Sequence, residues 1–200
     1  MLIYFLKICL SEKNKRLIRD ELLRYALNEN YGLDIKSVKF DKNEYGKPHI
    51  TNMPYIFFNI SYSTNFIVCS VGTSEHGIDV EEIRDFDYYV AKRVFSNYEL
   101  KTLNNAEQKK KLFFWIWTLK EALGKAKGTG LNYDFKRTTF VINYDSISCS
   151  DDSFNYKTFE LSNGYMLSAA TKEAMEDIEI KEVVMENGEL NNVRQSVQKI

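Results

Sequence analysis

FFWIWTLKEALGKAKGTGL, residues 113–131, begins as aromatic core and ends in lysines and glycines. Leu112, Ile116, Leu119 and Leu123 recur at helical spacing, predicting a helix over 105–127 with its leucine stripe against a core. KGTG ends that helix. Trp117, Glu121 and Lys125 are spaced by four and stack along a second face, offset from the leucines. On spacing alone, Glu121 and Lys125 are equally readable as a solvated i,i+4 ion pair or as one wall of a site.

Working outward, LIYFLKIC (2–9) reads as a buried strand and 12–30 as an amphipathic helix with Ile18, Leu22, Tyr25 and Ala26 on one face. Short strands are expected at 34–40, 55–60, 65–71 and 77–81, with KNEYGKPHITNMP as turn material. SNYE (96–99) is a capping box, Ser96 at the N-cap and Glu99 three residues later. Past the long helix, RTTFVIN, YKTFEL, GYMLSAAT and DIEIKEVV return to strands. Each half is a helix plus several strands. This predicts an α+β chain of two similar lobes, 1–74 and 75–184, followed by a loose polar tail over 185–200. No sequence repeat relates the lobes, and a ligand is expected in the cleft between them.

The 200 residues carry a net charge of −1, so bulk electrostatics argue for neither nucleic acid nor membrane binding. The apolar start, MLIYFLKICL, is too short to span a bilayer. Cys9, Cys69 and Cys149 are far apart and lack metal or redox spacing, which points to a reducing, cytoplasmic setting.

GIDVEE (77–82) is the second informative stretch. As a strand it places Asp79 and Glu81 on one face and Ile78 and Val80 on the other. Adjacent carboxylates repel, and a hard divalent cation such as Mg²⁺ would relieve them. An acidic solvent face is the plainer alternative. In EYGKP (44–48) a turn presents Lys47 at its tip, and FNISYS (58–63) ends a strand in small hydroxyls, including Ser61.

In this order and spacing, EYGKP…FFNISYS, GIDVE and WTLKEALGKAKGTGL resemble the Sfp-type phosphopantetheinyl transferases over roughly residues 12–135. The resemblance implies a pseudo-twofold pair of α+β lobes. It implies transfer of the 4′-phosphopantetheine arm of coenzyme A to a serine of an apo acyl or peptidyl carrier protein, with release of adenosine 3′,5′-bisphosphate. A paralogue that binds coenzyme A or a carrier without efficient transfer is the alternative. By the same resemblance Asp79, Glu81 and Glu121 match the Mg²⁺ carboxylates, and Lys125 the lysine that meets the pyrophosphate. Glu121 and Lys125 are thus the implied catalytic pair. Tyr45, Gly46, Lys47 and Pro48 match the segment beside the adenine and its 3′-phosphate, and Ser61 a phosphate-contacting serine. Lys120 is expected to contact carrier or substrate rather than metal.

The chain departs from the family pattern in two places. Tyr62 stands where the family has a phosphate-holding histidine, and neither His49 nor His76 lies at that position. A basic segment usual before the first helix is reduced to LSEKNKR, where Lys13, Lys15 or Arg16 could substitute, Arg16 being the best positional match. Carrier docking is expected near Tyr88, Lys92 and Arg93, on a monomer; the alternative is that the tyrosines, Val90, Val94 and Phe95 form inter-lobe core.

Overall fold

The computed structural model describes residues 1–8, 12–143, 146–161, 164–174, 176, 178–186, 189–193 and 198–199, the side chains of 12–14, 192–193 and 198–199 excepted. One sequence of elements occurs twice. The first pass runs β1 (Leu2–Lys7), α1 (Glu12–Tyr31), a small hairpin β2 (Phe40–Lys42) and β3 (Pro48–Ile50), then a larger hairpin β4 (Phe57–Tyr62) and β5 (Phe66–Gly72). The second begins at β6 (His76–Glu82) and inserts α2 (Tyr88–Val94) and α3 (Asn97–Asn105) before α4 (Lys109–Lys127). It then repeats the small hairpin, β7 (Phe140–Ile142) and β8 (Ile147–Cys149), and the larger one, β9 (Asn155–Leu161) and β10 (Tyr165–Thr171).

Pairing repeats as well. β1 lies antiparallel to β5, which pairs with β4, and β6 lies antiparallel to β10, which pairs with β9. The two-lobe α+β architecture is therefore a topological repeat that residue identities do not betray. The chain then returns to the first sheet: β11 (Glu179–Glu186) runs parallel to β1, and β12 (Glu189–Val193) pairs with β11. β13 (Gln198–Lys199) pairs with β9.

Alternation of side chains sets the layers. Ile3, Phe5, Phe66 and Val68 of the first sheet meet Ile78, Val80, Leu167 and Ala169 of the second in one core. The other face of the first sheet, with Tyr4, Leu6, Ile67 and Val71, is covered by Leu22, Leu23, Ala26 and Leu27 of α1. α4 covers the other face of the second sheet, with Leu119, Ala122, Leu123 and Ala126 over Tyr156 and Ala170. β5 and β10, flanked on both sides and covered on both faces, are buried throughout, which explains their unbroken apolar runs.

Several local expectations change. Residues 34–40 are not a strand: Asp34 accepts the backbone N–H of Lys36 and caps a 3₁₀ turn at Ile35–Ser37. Another such turn occupies Phe135–Arg137, and Phe140–Ile142 is the part of RTTFVIN that forms a strand. The supposed turn material between 42 and 54 contains β3, and the expected polar tail contains β12 and β13. The helix expected over 105–127 begins at Lys109; Asn105 ends α3, and Ala106, Glu107 and Gln108 separate the two. β11, assigned by chain order to the second lobe, is a strand of the first sheet. β1 ends at Lys7, and Cys9 lies outside the described residues. Among the described residues no helix is long and apolar enough to cross a membrane.

Candidate active site

β6 and α4 build the candidate site together. Asp79 and Glu81 alternate onto the face of β6 that α4 covers, opposite Ile78 and Val80, as the sequence pattern predicts. Gly77, on that same face, lets the helix backbone approach directly: a Cβ there would stand 2.3 Å from the Ala122 carbonyl oxygen. This contact brings Glu121 and Lys125 over Asp79.

β4 supplies the third side. Asn59 and Ser61, two residues apart and both buried, reach from the edge of the first sheet to β6. Asn59 Oδ1 accepts the Ile78 N–H at 2.9 Å, and Ser61 Oγ accepts the Val80 N–H at 3.3 Å. Ser61 Oγ also donates to Asp79 Oδ1 at 2.8 Å and accepts from Lys125 Nζ at 2.9 Å. Lys125 Nζ completes the triangle with Asp79 Oδ1 at 2.7 Å. The single donor and both lone pairs of the serine hydroxyl are thereby used.

The remaining oxygens are under-compensated. Asp79 Oδ2 and Glu121 Oε1 are buried without a hydrogen-bond partner. Burial first, then the charges of Asp79 and Glu81, push Glu121 up to about 7 against the opposing pull of Lys125. Burial and Asp79 likewise raise Glu81, although Arg84 Nη1 stands 3.4 Å from its carboxylate. Among the described residues no three His, Cys, Asp or Glu side chains are gathered at metal-ligand separation. Mg²⁺ does not need such a cage: it is commonly held by one or two carboxylates, with waters and substrate phosphates filling an octahedron. An all-oxygen donor set containing two unpartnered buried carboxylate oxygens fits that ion.

Two clefts lie near this site, and Lys125 lines the smaller. The smaller, about 240 Å³, is lined by Tyr45, Gly46, Lys47 and Pro48 on one side and by Lys125, Gly128 and Gly130 on the other. The larger, about 750 Å³, lies between α1 and the β2–β3 hairpin, with Phe58, Ile60 and Tyr62 from β4 and Leu17, Arg19 and Arg24 from α1. Pro48, Asn59 and Ile60 line both, so the two form one groove. The smaller portion is the one beside the carboxylates, because Lys125 belongs to both.

Other predicted residues fall elsewhere. Lys47 does not project from the tip of its turn: its ammonium donates to the carbonyls of Ala126 and His76, each at 3.2 Å. Arg16 is exposed on α1 and lines neither cleft, and the side chain of Lys13 lies outside the described residues. Tyr62 is 58% exposed at the cleft rim. His76 is fully buried, and burial lowers it to about 4.

Lys120 cannot contact carrier or substrate. It is fully buried, paired with Glu99 at 2.9 Å, and donates to the Phe135 and Thr138 carbonyls at 2.8 and 2.6 Å. Glu99 closes the capping box with Ser96 and accepts the Phe140 N–H at 2.8 Å, so one buried pair joins α3, α4 and β7.

Lys92 and Arg93 are exposed on α2, with Lys92 Nζ 5.4 and 5.6 Å from the Tyr88 and Tyr89 ring centres. Tyr88 donates to Asn104 Oδ1 at 2.6 Å. Val90, Val94 and Phe95 pack with Phe113 and Ile116 of α4, within the second lobe rather than between lobes. Trp117 joins that cluster, stacking on Phe113 at 6.1 Å.

Asn43, Asn59 and Gly77 went unrecognised in the sequence. Asn59 stands two residues from Ser61 on one strand face, and an isolated glycine in a strand signals close backbone approach. Those two signals were available, whereas the long-range partner of Asn43 left no local trace.

Residues 75–179 match the 4′-phosphopantetheinyl transferase superfamily. The chain is 31% identical to the 4′-phosphopantetheinyl transferase Sfp of Bacillus subtilis over 84% of its own length and 79% of that protein's. It is 30% identical to the 4′-phosphopantetheinyl transferase psf-1 of Bacillus pumilus over 92% of its length and 83% of that protein's. Among solved structures, the holo-[acyl-carrier-protein] synthase of Thermotoga maritima aligns at TM-score 0.42 and 21% identity, covering 49% of this chain and 62% of that one. By the superfamily match and these relatives, the chain belongs to the 4′-phosphopantetheinyl transferase superfamily.

Proposed function

We propose that this protein transfers the 4′-phosphopantetheine arm of coenzyme A to a serine of an apo acyl or peptidyl carrier protein, releasing adenosine 3′,5′-bisphosphate. It acts as a cytoplasmic monomer with Mg²⁺. The observation that carries the reading is the Ser61–Asp79–Lys125 triangle beside the unpartnered oxygens of Asp79 and Glu121, with Lys125 also lining the smaller cleft. Free thiols at Cys69 and Cys149 support a reducing compartment.

Asp79, Glu81 and Glu121 would hold the ion. When bound, Mg²⁺ supplies neutralisation of charge on the pyrophosphate. Glu121, or a water that it orients, would take the proton from the carrier serine. The serine oxygen forms a new bond to the phosphorus bearing pantetheine as the bridging P–O bond breaks. The electron pair leaves with adenosine 3′,5′-bisphosphate. Lys125, already between Ser61 and Asp79, turns its ammonium toward the leaving phosphate. Tyr45, Gly46 and Pro48 wall the nucleotide side, the Lys47 ammonium being committed to α4.

Intact-mass spectrometry of an apo carrier incubated with the protein, coenzyme A and Mg²⁺ tests this. A gain of one phosphopantetheine that disappears with chelator is expected. Unmodified carriers across an acyl and peptidyl panel, with coenzyme A still bound, would leave the binding paralogue in its place.

A further inference from the structure

The loop carrying Tyr45 and Gly46 is held from two directions. Asn43 Oδ1 accepts the backbone N–H groups of Tyr45 and Lys47 at 3.0 and 2.9 Å, which closes the turn on itself. The other end of the same amide donates to the Gly128 carbonyl at 2.9 Å, 85 residues along the chain. Lys47 Nζ reaches the Ala126 and His76 carbonyls.

These acceptors are not arbitrary. A helix leaves its last carbonyls without internal partners. At the end of α4 the Gly124 and Lys125 carbonyls are satisfied by the N–H groups of Thr129 and Gly128, which sits at φ 77°. Lys47 takes the next acceptor, Ala126, and Asn43 takes the carbonyl of the cap residue Gly128. A Cβ at Gly128 would lie 2.9 Å from Asn43 Nδ2, so the loop touches the helix cap itself. Burial draws the Lys47 ammonium down to about 8, and the negative end of the helix supports the charge. Both sides of the smaller cleft, the loop and Lys125 with the helix end, are thus joined by the Asn43 and Lys47 side chains, with Lys47 itself in the cleft wall.

We propose that Asn43 and Lys47 are positioning residues that lock the nucleotide-facing loop to the C-terminal end of α4, setting the width of the smaller cleft and the place of Lys125 in it. This rests on reading that cleft as the coenzyme A site. The Lys47 ammonium acts on the helix and not on the 3′-phosphate.

Asn43→Ala and Lys47→Met test it, each assayed at fixed carrier with coenzyme A and with 3′-dephospho-coenzyme A. The KM for coenzyme A should rise roughly tenfold to a hundredfold, the carrier KM should hold, and the penalty should be the same for both nucleotides. A Lys47→Met penalty that vanishes with the dephospho form means direct phosphate contact and overturns the proposal, as does an unchanged KM in both variants. Hydrogen exchange on the full chain without substrate provides a second readout. Asn43→Ala should lower protection of the amides at Tyr45, Lys47, Gly128 and Thr129 together, and unchanged exchange at Gly128 and Thr129 also overturns the lock. If the wild-type chain modifies no carrier, the transferase reading fails, and the exchange measurement still decides the lock.

Discussion

Gly77 of β6 rests on Ala122 of α4 so closely that a Cβ would stand 2.3 Å from the Ala122 carbonyl oxygen and 2.4 Å from the Ala126 nitrogen. Those are helix backbone atoms, which cannot swing aside as a side chain would. Gly77→Ala must push β6 and α4 apart, at a cost of about 3 kcal/mol of overpacking. The same displacement separates Asp79 from Lys125. Denaturant unfolding should show the loss, and transfer by the fraction still folded should fall at least tenfold. Wild-type turnover in a folded Gly77→Ala protein would mean that this contact does not set the site.

Glu121 makes the stability of the ligand-free site depend on pH. Its carboxyl titrates near 7 in the folded chain against an ordinary value of 4.5. Between those values the folded chain keeps a proton that the unfolded chain has released, so stability falls as pH rises through the window and stays low above it. Raised Glu81 adds to the fall in the same direction. In metal-free protein the Tm should therefore decline from pH 5 to pH 8, and Mg²⁺ should raise it more at pH 8 than at pH 5. Glu121→Gln should flatten the decline and raise the Tm at pH 8 while abolishing transfer. Full turnover in that variant would remove Glu121 from both the base and ligand roles.

The faces of β6 and α4 were legible because alternation in GIDVEE and fourfold spacing in the long helix are local signals. Ile78 and Val80 enter the inter-sheet core while Asp79 and Glu81 face α4, as that alternation requires. Roles set by distant partners were not legible. Lys120 and Lys125 are both lysines of one helix, yet only the fold shows that Glu99 meets the first and Asp79 the second. The two similar lobes were legible from the order of elements, but the strand order within each was not, because it depends on which apolar faces meet and many residue choices satisfy the same pattern. The tail misled because Glu189–Val193 is polar, although β12 needs only backbone groups to pair with β11.

The buried pair gives a separable prediction. Lys120→Met leaves the fully buried Glu99 without its cation, a loss of about 3–5 kcal/mol. Adding Glu99→Gln removes the stranded charge, so the double variant should recover part of the stability. Because neither side chain reaches the groove, the KM values for coenzyme A and carrier should stay within about twofold in the folded fraction. A large shift in carrier KM with stability intact would return Lys120 to the docking surface.

Tyr62 is exposed at the end of β4 and can offer one hydroxyl donor without charge. Tyr62→His should lower the KM for coenzyme A roughly two- to fivefold at pH 6, where an exposed imidazole is largely cationic. The gain should fade at pH 8 as the ring loses its proton. An equal gain at both pH values would point to shape rather than charge.

Lys92 and Arg93 project from α2 on a face that Tyr88 and Tyr89 stiffen by ring contact with Lys92. Neither cation lies on the groove, so each is free to meet an acidic partner without disturbing nucleotide binding. Exposed charges act mainly on encounter, and reversing two of them should slow association with an acidic carrier and flatten or invert its fall with rising salt concentration. Lys92→Glu with Arg93→Glu should therefore raise the carrier KM roughly tenfold at low ionic strength, less at high salt, and leave the coenzyme A KM nearly unchanged. Steady-state kinetics at two salt concentrations separate the outcomes. A carrier KM indifferent to both the double reversal and salt would move the docking surface away from α2.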